Sequence, residues 1–245
     1  HLIYIFVCIY IFPWVYINNM TTDFELKTDR AYIWLIVGKP GSGKTHCLKS
    51  IMLDYARQKH FKFGVCFTQN TMTSDLDFLP KKAIDDDYSD QKLEAYTKRL
   101  ITIRETNKGK ALPPSFIIFE DMIGSNKLNL YSNTMNKFLI LHRHLNISVF
   151  FLSQYLGGRT GSSTLLREVT NYAVLFNTKF ANSKDFLWKS CGGLFAKSQD
   201  FYDLLDDATR EKHRALLYDA SEDNPTTAYK YFKAPKDIPE FKLVF

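Results

Sequence analysis

Cysteine is scarce in this chain, and the four cysteines are too scattered to form a recognisable ligand or redox pattern. Cys8, Cys47, Cys66 and Cys191 include no pair at zinc-ligand or C-x-x-C spacing. The sequence therefore gives no sign of a zinc site or of a dithiol motif. This usage favours a reduced, intracellular setting and argues against a secreted protein.

The first nineteen residues lack charge altogether. His1 to Asn19 contains no Lys, Arg, Asp or Glu and consists mostly of Ile, Tyr, Phe and Val. The apolar run Leu2–Ile17 is shorter than the ~20 residues that a membrane-spanning helix needs, and Pro13 interrupts it. A signal peptide would begin with basic residues, which are missing here. We interpret residues 1–19 as upstream-translated sequence outside the fold, with Met20 as the start; a membrane anchor and a signal peptide are the alternatives.

No internal repeat and no convincing domain boundary divides the rest of the chain. A length of 245 residues, 45% of them hydrophobic, suits one α/β domain with a full core. We expect this domain to span residues 20–233, and the tail, 234–245, to extend along the surface. The net charge of +6 suits a polyanionic partner without proving one.

The most informative stretch is a glycine-rich turn between an apolar run and a helical pattern. Gly38–Thr45 has the sequence GKPGSGKT. The run Tyr32–Val37 before it predicts a buried strand, and apolar residues at helical spacing follow it. Strand, turn and helix together are the context in which G-x-x-x-x-G-K-[ST] indicates a nucleoside triphosphate site.

Each residue type in this P-loop has a physical role toward a bound nucleotide. The glycines allow the backbone N–H groups, and the positive end of the following helix, to approach phosphate oxygens closely. Lys44 supplies a mobile charge for the β- and γ-phosphates, and Thr45 supplies a hydroxyl for Mg²⁺. We therefore expect ATP and Mg²⁺ as cofactors, with the nucleotide bound by Gly38, Lys39, Pro40, Gly41, Ser42, Gly43, Lys44 and Thr45.

Two carboxylates follow the next apolar run. Phe116–Phe119 predicts a central parallel strand, and Glu120 and Asp121 lie at its C-terminal end, where open α/β sheets bind ligands. One carboxylate of such a pair holds Mg²⁺, and its neighbour polarises the attacking water. By position Glu120 is the metal-side acid and Asp121 the water-activating one. The usual order is Asp then Glu, so the identity of the catalytic base stays open.

A further strand ends at a neutral amide. A helix is predicted over Asn126–His144, and a buried strand over Ile147–Gln154. Gln154 would emerge beside the carboxylates, where its amide can donate to the γ-phosphate or hold the attacking water. The alternative is an amide that only satisfies hydrogen bonds at the end of the strand.

Together, the P-loop, the carboxylate pair, Arg143-His144 and the strand ending at Gln154 resemble the FtsK–HerA superfamily of P-loop ATPases. Within it, the chain is similar to the genome-packaging ATPases of poxviruses, other large DNA viruses, virophages and Maverick/Polinton elements, from about Thr28 to Tyr231. The resemblance implies an α/β fold with a RecA-like ASCE core, in which helices flank a mostly parallel sheet. It also implies an extra strand between the P-loop strand and the Walker B strand that carries the carboxylates.

The same resemblance implies an ATPase that forms a homo-oligomeric ring, a pentamer or hexamer, and translocates double-stranded DNA into a capsid. A capsid portal or a membrane protein of the virion is a further candidate partner. The expected location is the host cytoplasm, a virus factory, the nucleus or the virion. An arginine finger would complete the site of a neighbouring subunit. Arg143 is the first choice and Arg159 the second, although Arg143 also suits a helix C-terminus on electrostatic grounds alone.

Contacts with DNA are less well specified, because phosphate binding requires Lys or Arg but no fixed motif. An ordinary solvated lysine is the favoured interpretation of each candidate, so we assign no DNA-binding residue. The candidates are Lys81, Lys82, Lys108, Lys110 and Lys127.

Three other functions are compatible with the same P-loop. A helicase or replication-associated ASCE ATPase would act on single strands, but no platform of aromatic and basic residues stands out. A kinase would need an arginine-rich lid, for which Gly157–Gly161, with its single arginine, is a poor candidate. A degenerate binding protein is disfavoured by the intact Lys44, Thr45 and acid pair.

Overall fold

The computed structural model describes residues 24–69, 76–108, 110–123, 128–154 and 163–244. The segment 1–19, Met20, Lys127, Arg159 and the loop Gly157–Gly161 lie outside the described residues.

The described part of the chain contains eight strands and seven α-helices. The strands are β1 Ile33–Val37, β2 Phe63–Thr68, β3 Ile84–Asp85, β4 Ser115–Glu120, β5 Ile147–Ser153, β6 Tyr172–Leu175, β7 Arg214–Asp219 and β8 Tyr229–Lys233. The helices are α1 Lys44–Arg57, α2 Asp90–Thr106, α3 Asn133–Leu141, α4 Thr164–Val169, α5 Ala181–Cys191, α6 Ser198–Ala208 and α7 Pro225–Ala228.

All eight strands join one sheet in the order β3-β2-β4-β5-β1-β6-β7-β8. The first six are mutually parallel, whereas β7 runs antiparallel to β6 and β8 antiparallel to β7. β5 lies between the P-loop strand β1 and the carboxylate strand β4. This confirms the expected mostly parallel sheet with an extra strand between those two.

Both faces of the sheet are buried, which explains why the central strands are apolar without alternation. Along β1, Leu35 and its same-face neighbours pack in a cluster with residues of α2, α3, α5 and α6. Trp34 and Ile36, on the other face, pack with residues of α1. Because the strands are parallel, their carboxyl ends share one edge of the sheet, and the residues directly after β1, β4 and β5, namely Gly38, Asp121 and Gln154, lie at that edge. None of the helices in the described ranges is both long and apolar enough to cross a membrane.

Helix α3 is much shorter than the predicted Asn126–His144. The Ser132 hydroxyl accepts the N–H of Met135 and caps the helix, which begins at Asn133. At the other end, Asn146 has a φ of 54°, in the left-handed region, and this ends the helical turns before β5. Apolar residues continue at helical spacing before Ser132 and after Leu141. The spacing alone therefore placed both ends of the helix wrongly.

The tail after β8 packs against the core and does not simply extend along the surface. The ring of Phe241 stacks on that of Phe78 with centroids 5.5 Å apart. The N–H of Leu243 donates to the carbonyl of Phe78 at 2.9 Å, and its side chain is 7% exposed in the cluster that includes α1. Most described residues of the tail are exposed, and Phe241 and Leu243 attach it to the core.

Replacing Leu243 with alanine tests this packing. We expect the free energy of unfolding to fall by about 2 kcal/mol, because a buried side chain is truncated and a cavity remains. Val244→Ala is the matched control, since Val244 is 91% exposed and its truncation should change little. Urea denaturation of both variants measures the difference, and equal midpoints would show that the tail does not contribute to the core.

Candidate nucleotide-binding and hydrolysis site

The P-loop forms a narrow turn from the end of β1 to the start of α1. Gly41 and Gly43 have φ values of 71° and 105°, in the region that side chains rarely adopt. A Cβ on Gly38 would lie 2.7 Å from the Cβ of Phe176, so this position too requires glycine. Among the described residues, no side chain caps α1 at Gly43, so the first N–H groups of the helix remain suited to an anion.

Lys44 lies inside this turn, with 7% of its surface exposed. Its Nζ donates to the carbonyl of Gly38 at 2.8 Å and to that of Lys39 at 3.4 Å. Burial lowers the pKa of Lys44, and the nearby carboxylates of Asp121 and Glu120 act in the opposite direction. The site thus combines a buried cation with two acids, and phosphate groups would add the negative charge that favours the ammonium form.

Thr45 and Glu120 meet across the gap between α1 and β4. The Thr45 hydroxyl donates to Oε1 of Glu120 at 3.0 Å, and Glu120 is itself buried. A hydroxyl and a carboxylate are oxygen donors of the kind that Mg²⁺ prefers. Within the described residues, no cluster of three or more His, Cys, Asp or Glu could hold a metal ion alone. The two oxygen donors Thr45 and Glu120 would fit a Mg²⁺ ion that also binds nucleotide phosphates.

The end of β5 joins the P-loop to the carboxylates through two backbone hydrogen bonds. The N–H of Gly38 donates to the carbonyl of Ser153 at 3.0 Å, and the N–H of Asp121 donates to the carbonyl of Leu152 at 3.1 Å. Asp121 has a φ of 49°, a left-handed conformation that Asp tolerates better than most residues. The turn after β4 is thus fixed relative to the P-loop.

Gln154 emerges directly after β5 and is exposed. It lines a cleft of about 550 Å³ together with Gly38, Lys39 and Pro40 of the P-loop and the segment that follows β6, including Phe176 and Phe180. The structure therefore places Gln154 beside the P-loop, across this cleft.

Arg143 does not join these residues. It precedes β5, so it lies at the amino edge of the sheet, whereas Gln154 follows the same strand at the carboxyl edge. The seven residues of β5 separate the two edges by roughly 20 Å at ~3.3 Å per residue. Arg143 is exposed to solvent and is not within reach of the P-loop of its own chain.

The lysines considered for DNA contact lie on the surface wherever they are described. Lys81 and Lys82 form a short 3-10 turn before β3, and Lys108 and Lys110 follow α2. All four are exposed, and their positions do not single out any of them.

Two residues that contact the P-loop belong to none of the sequence motifs. Phe176 follows β6 and packs against Gly38. His213 precedes β7, and its Nδ1 lies 3.1 Å from the carbonyl oxygen of Ser42. Both come from chain segments far from the P-loop in sequence, and no local pattern distinguishes them from other aromatic residues or histidines.

A protein-family model described as Poxvirus A32 protein matches residues 22–191. The matched span contains the P-loop, Glu120, Asp121, Arg143 and Gln154. No curated protein matches the chain at a significant level.

Several solved structures share the fold. The genome packaging NTPase B204 from Sulfolobus turreted icosahedral virus 2, in complex with AMPPCP, has a TM-score of 0.55 and 12% identity over 86% of this chain and 100% of that one. The pCW3 conjugation coupling protein TcpA has a TM-score of 0.56 and 12% identity over 86% of this chain and 62% of that one. The cytoplasmic domain of the Type VII secretion ATPase EccC of Thermomonospora curvata has a TM-score of 0.55 and 16% identity over 85% of this chain and 26% of that one. At these identities the likeness shows the fold, a RecA-like P-loop core.

Proposed function

Because the chain belongs to the poxvirus A32 protein family and is a P-loop ATPase, we propose that it packages double-stranded DNA into a viral or virus-like capsid by ATP-driven translocation. One observation carries this proposal: the P-loop, the carboxylates and Gln154 meet at one edge of the sheet, within the span that matches the family. The genome packaging NTPase B204, which shares the fold, supports it as an analogy.

ATP binds at Gly38–Thr45 in this proposal, with its phosphates against the N-terminus of α1 and Lys44. Thr45 and Glu120 would hold Mg²⁺, and the ion would supply positive charge to stabilise the phosphates. The hydrogen bond between these two side chains supports Glu120 as the metal-side acid.

Asp121 is the better candidate for activating water. It is exposed, whereas Glu120 is buried against Thr45, and the bond to the Leu152 carbonyl fixes its backbone. Gln154 lies next to the P-loop, where its amide can donate to the γ-phosphate or orient the attacking water. The attacking water transfers its proton to the carboxylate as its oxygen bonds to the γ-phosphorus, while the bond from that phosphorus to the bridging oxygen breaks and ADP leaves with the electron pair.

Arg143 acts on the nucleotide of a neighbouring subunit. Because it lies at the opposite edge of the sheet from its own P-loop, it can stabilise a γ-phosphate only in a head-to-tail assembly. Closed head-to-tail contacts generate a ring, which suits a motor that surrounds DNA. The alternative is that Arg143 only complements the nearby C-terminus of α3.

The roles of the three side chains at the site predict different kinetic effects. Asp121→Asn should lower kcat about 100-fold and leave ATP affinity nearly unchanged, because water activation is lost but binding is not. Glu120→Gln should raise the Mg²⁺ concentration needed for half-maximal turnover. Gln154→Ala should lower kcat with little effect on binding. Titrations with ATP and with Mg²⁺ measure these quantities.

Glu94→Gln is the control for removal of a carboxylate, since Glu94 is exposed on α2 and pairs with Lys98. It should behave as the unmodified protein. A larger loss of kcat in Glu120→Gln than in Asp121→Asn would exchange the two assigned roles.

The choice of duplex DNA as substrate is tested by steady-state ATP hydrolysis with no DNA, with single-stranded DNA and with duplex DNA. We expect duplex DNA to stimulate turnover several-fold more than single strands, because a packaging motor couples hydrolysis to movement of a duplex. Stimulation by single strands alone would favour a helicase. Equal ATP turnover with no DNA, with single strands and with duplex DNA would leave an ATPase and remove the support for packaging.

The position of Arg143 predicts complementation between inactive variants. Lys44→Ala and Arg143→Ala should each reduce turnover at least roughly tenfold, since one loses the phosphate contact and the other the charge supplied to its neighbour. Mixed together, they should regain part of the activity, because some interfaces then pair an intact P-loop with an intact Arg143.

Lys137→Ala, an exposed cation on α3, is the matched control and should remain active. Full activity of Arg143→Ala alone would exclude the arginine as a finger. An inactive mixture would exclude action in trans, provided that the variants still assemble by analytical ultracentrifugation.

A further inference from the structure

His213 lies against the P-loop from a distant part of the chain. Its Nδ1 is 3.1 Å from the carbonyl oxygen of Ser42. A Cβ built on Gly43 would be 3.2 Å from the same nitrogen, which is closer than most such contacts. The imidazole ring therefore packs on the two residues that immediately precede Lys44.

The turn that carries His213, residues 209–213, is firmly attached to the fold. The guanidinium of Arg214 donates to the carbonyls of Ala208, at 2.6 Å, and Asp207, at the end of α6. The Thr209 hydroxyl donates to the carbonyl of Leu205 at 2.6 Å and accepts from Nδ2 of Asn177 at 2.9 Å. Residue 213 is thus placed by contacts with both α6 and the segment after β6.

The backbone of His213 adopts an uncommon conformation. Its φ is 64°, in the left-handed region that non-glycine residues enter only at a cost. Such conformations persist where the surroundings determine them, and they concentrate at ligand-binding sites. Here the bonded turn fixes the backbone, and the result is an imidazole directed at the P-loop.

His213 also borders a cavity that opens beside the start of α1. This cavity has a volume of about 430 Å³, and its walls are the P-loop, the first turns of α1, Asp77 and His213. Since phosphates bind at the N-terminus of α1, the rest of a nucleotide can extend into this space. The histidine therefore lies on the P-loop and also borders the space that a nucleotide would enter.

We propose that His213 is a positioning residue of the nucleotide site. Its Nδ1–H donates to the carbonyl of Ser42, because a carbonyl can only accept. With the Ser42 carbonyl held on the His213 side, the N–H groups of Gly43 and Lys44 are oriented toward the phosphates before ATP arrives. The proposal concerns nucleotide binding alone, so it stands or falls independently of DNA packaging.

His213→Ala and His213→Asn in the full chain test this role. The alanine variant should bind ATP about 3- to 10-fold more weakly, as expected for the loss of one hydrogen bond, with kcat within about twofold. The asparagine variant should regain most of the affinity, because Asn tolerates a positive φ and carries an amide donor at a similar distance from the backbone. Competition of ATP against a fluorescent nucleotide gives the affinities, and steady-state kinetics separate KM from kcat.

Lys212→Ala is the matched control, since Lys212 is exposed on the same turn, and it should bind ATP normally. Unchanged affinity in His213→Ala would overturn the proposal, as would an equal loss in Lys212→Ala. Equal weakness of the Ala and Asn variants would also overturn it, because a donor at this position would then not matter.

Thermal melting without nucleotide distinguishes positioning from general stability. If His213→Ala melts close to the temperature of the unmodified protein but binds ATP more weakly, the proposal is supported. If its loss of affinity only accompanies a large drop in melting temperature, the proposal is overturned. If His213→Ala does not fold, His213→Phe, which keeps a ring without an N–H donor, replaces it in the comparison with His213→Asn.

Discussion

Two backbone hydrogen bonds at the end of β5 hold the site together. The carbonyls of Leu152 and Ser153 accept from Asp121 and Gly38, so one strand end fixes both the carboxylate turn and the first residue of the P-loop. The parallel register of β4, β5 and β1 gives these bonds their geometry, because it brings the three strands to a common edge. A shift in the position of β5 would therefore change the spacing between the phosphate-binding backbone and the acids that act on it.

The charges of the site follow from this arrangement. A buried ammonium is costly unless partners compensate for lost water, and Lys44 has two loop carbonyls and two nearby acids as compensation. The P-loop itself offers N–H groups at the start of a helix that no described side chain caps. Together they make a preorganised site for phosphate, in which little rearrangement is needed when the ligand binds.

The sequence was most informative where a few neighbouring residues contain the whole signal. The strand before Gly38, the helix after Thr45 and the apolar strand ending at Glu120 all lie within a few residues of the predicted bounds, since periodicity and glycine geometry are local properties. It was less informative for α3, where the Ser132 cap makes the helix begin later than the apolar spacing indicates. It did not indicate that Leu243 is buried, because that burial depends on Phe78, which lies far away in the chain.

By itself, the sequence indicated the P-loop, the carboxylate pair Glu120 and Asp121, and the amide of Gln154. Each of them is a short pattern attached to one strand. Only the tertiary structure decided that Gln154 shares an edge with the P-loop whereas Arg143 lies at the opposite edge. It alone brought His213 to Ser42. The physical reason is that strand order and contacts between loops depend on how every element buries its apolar surface at once, and no short window of sequence contains that information.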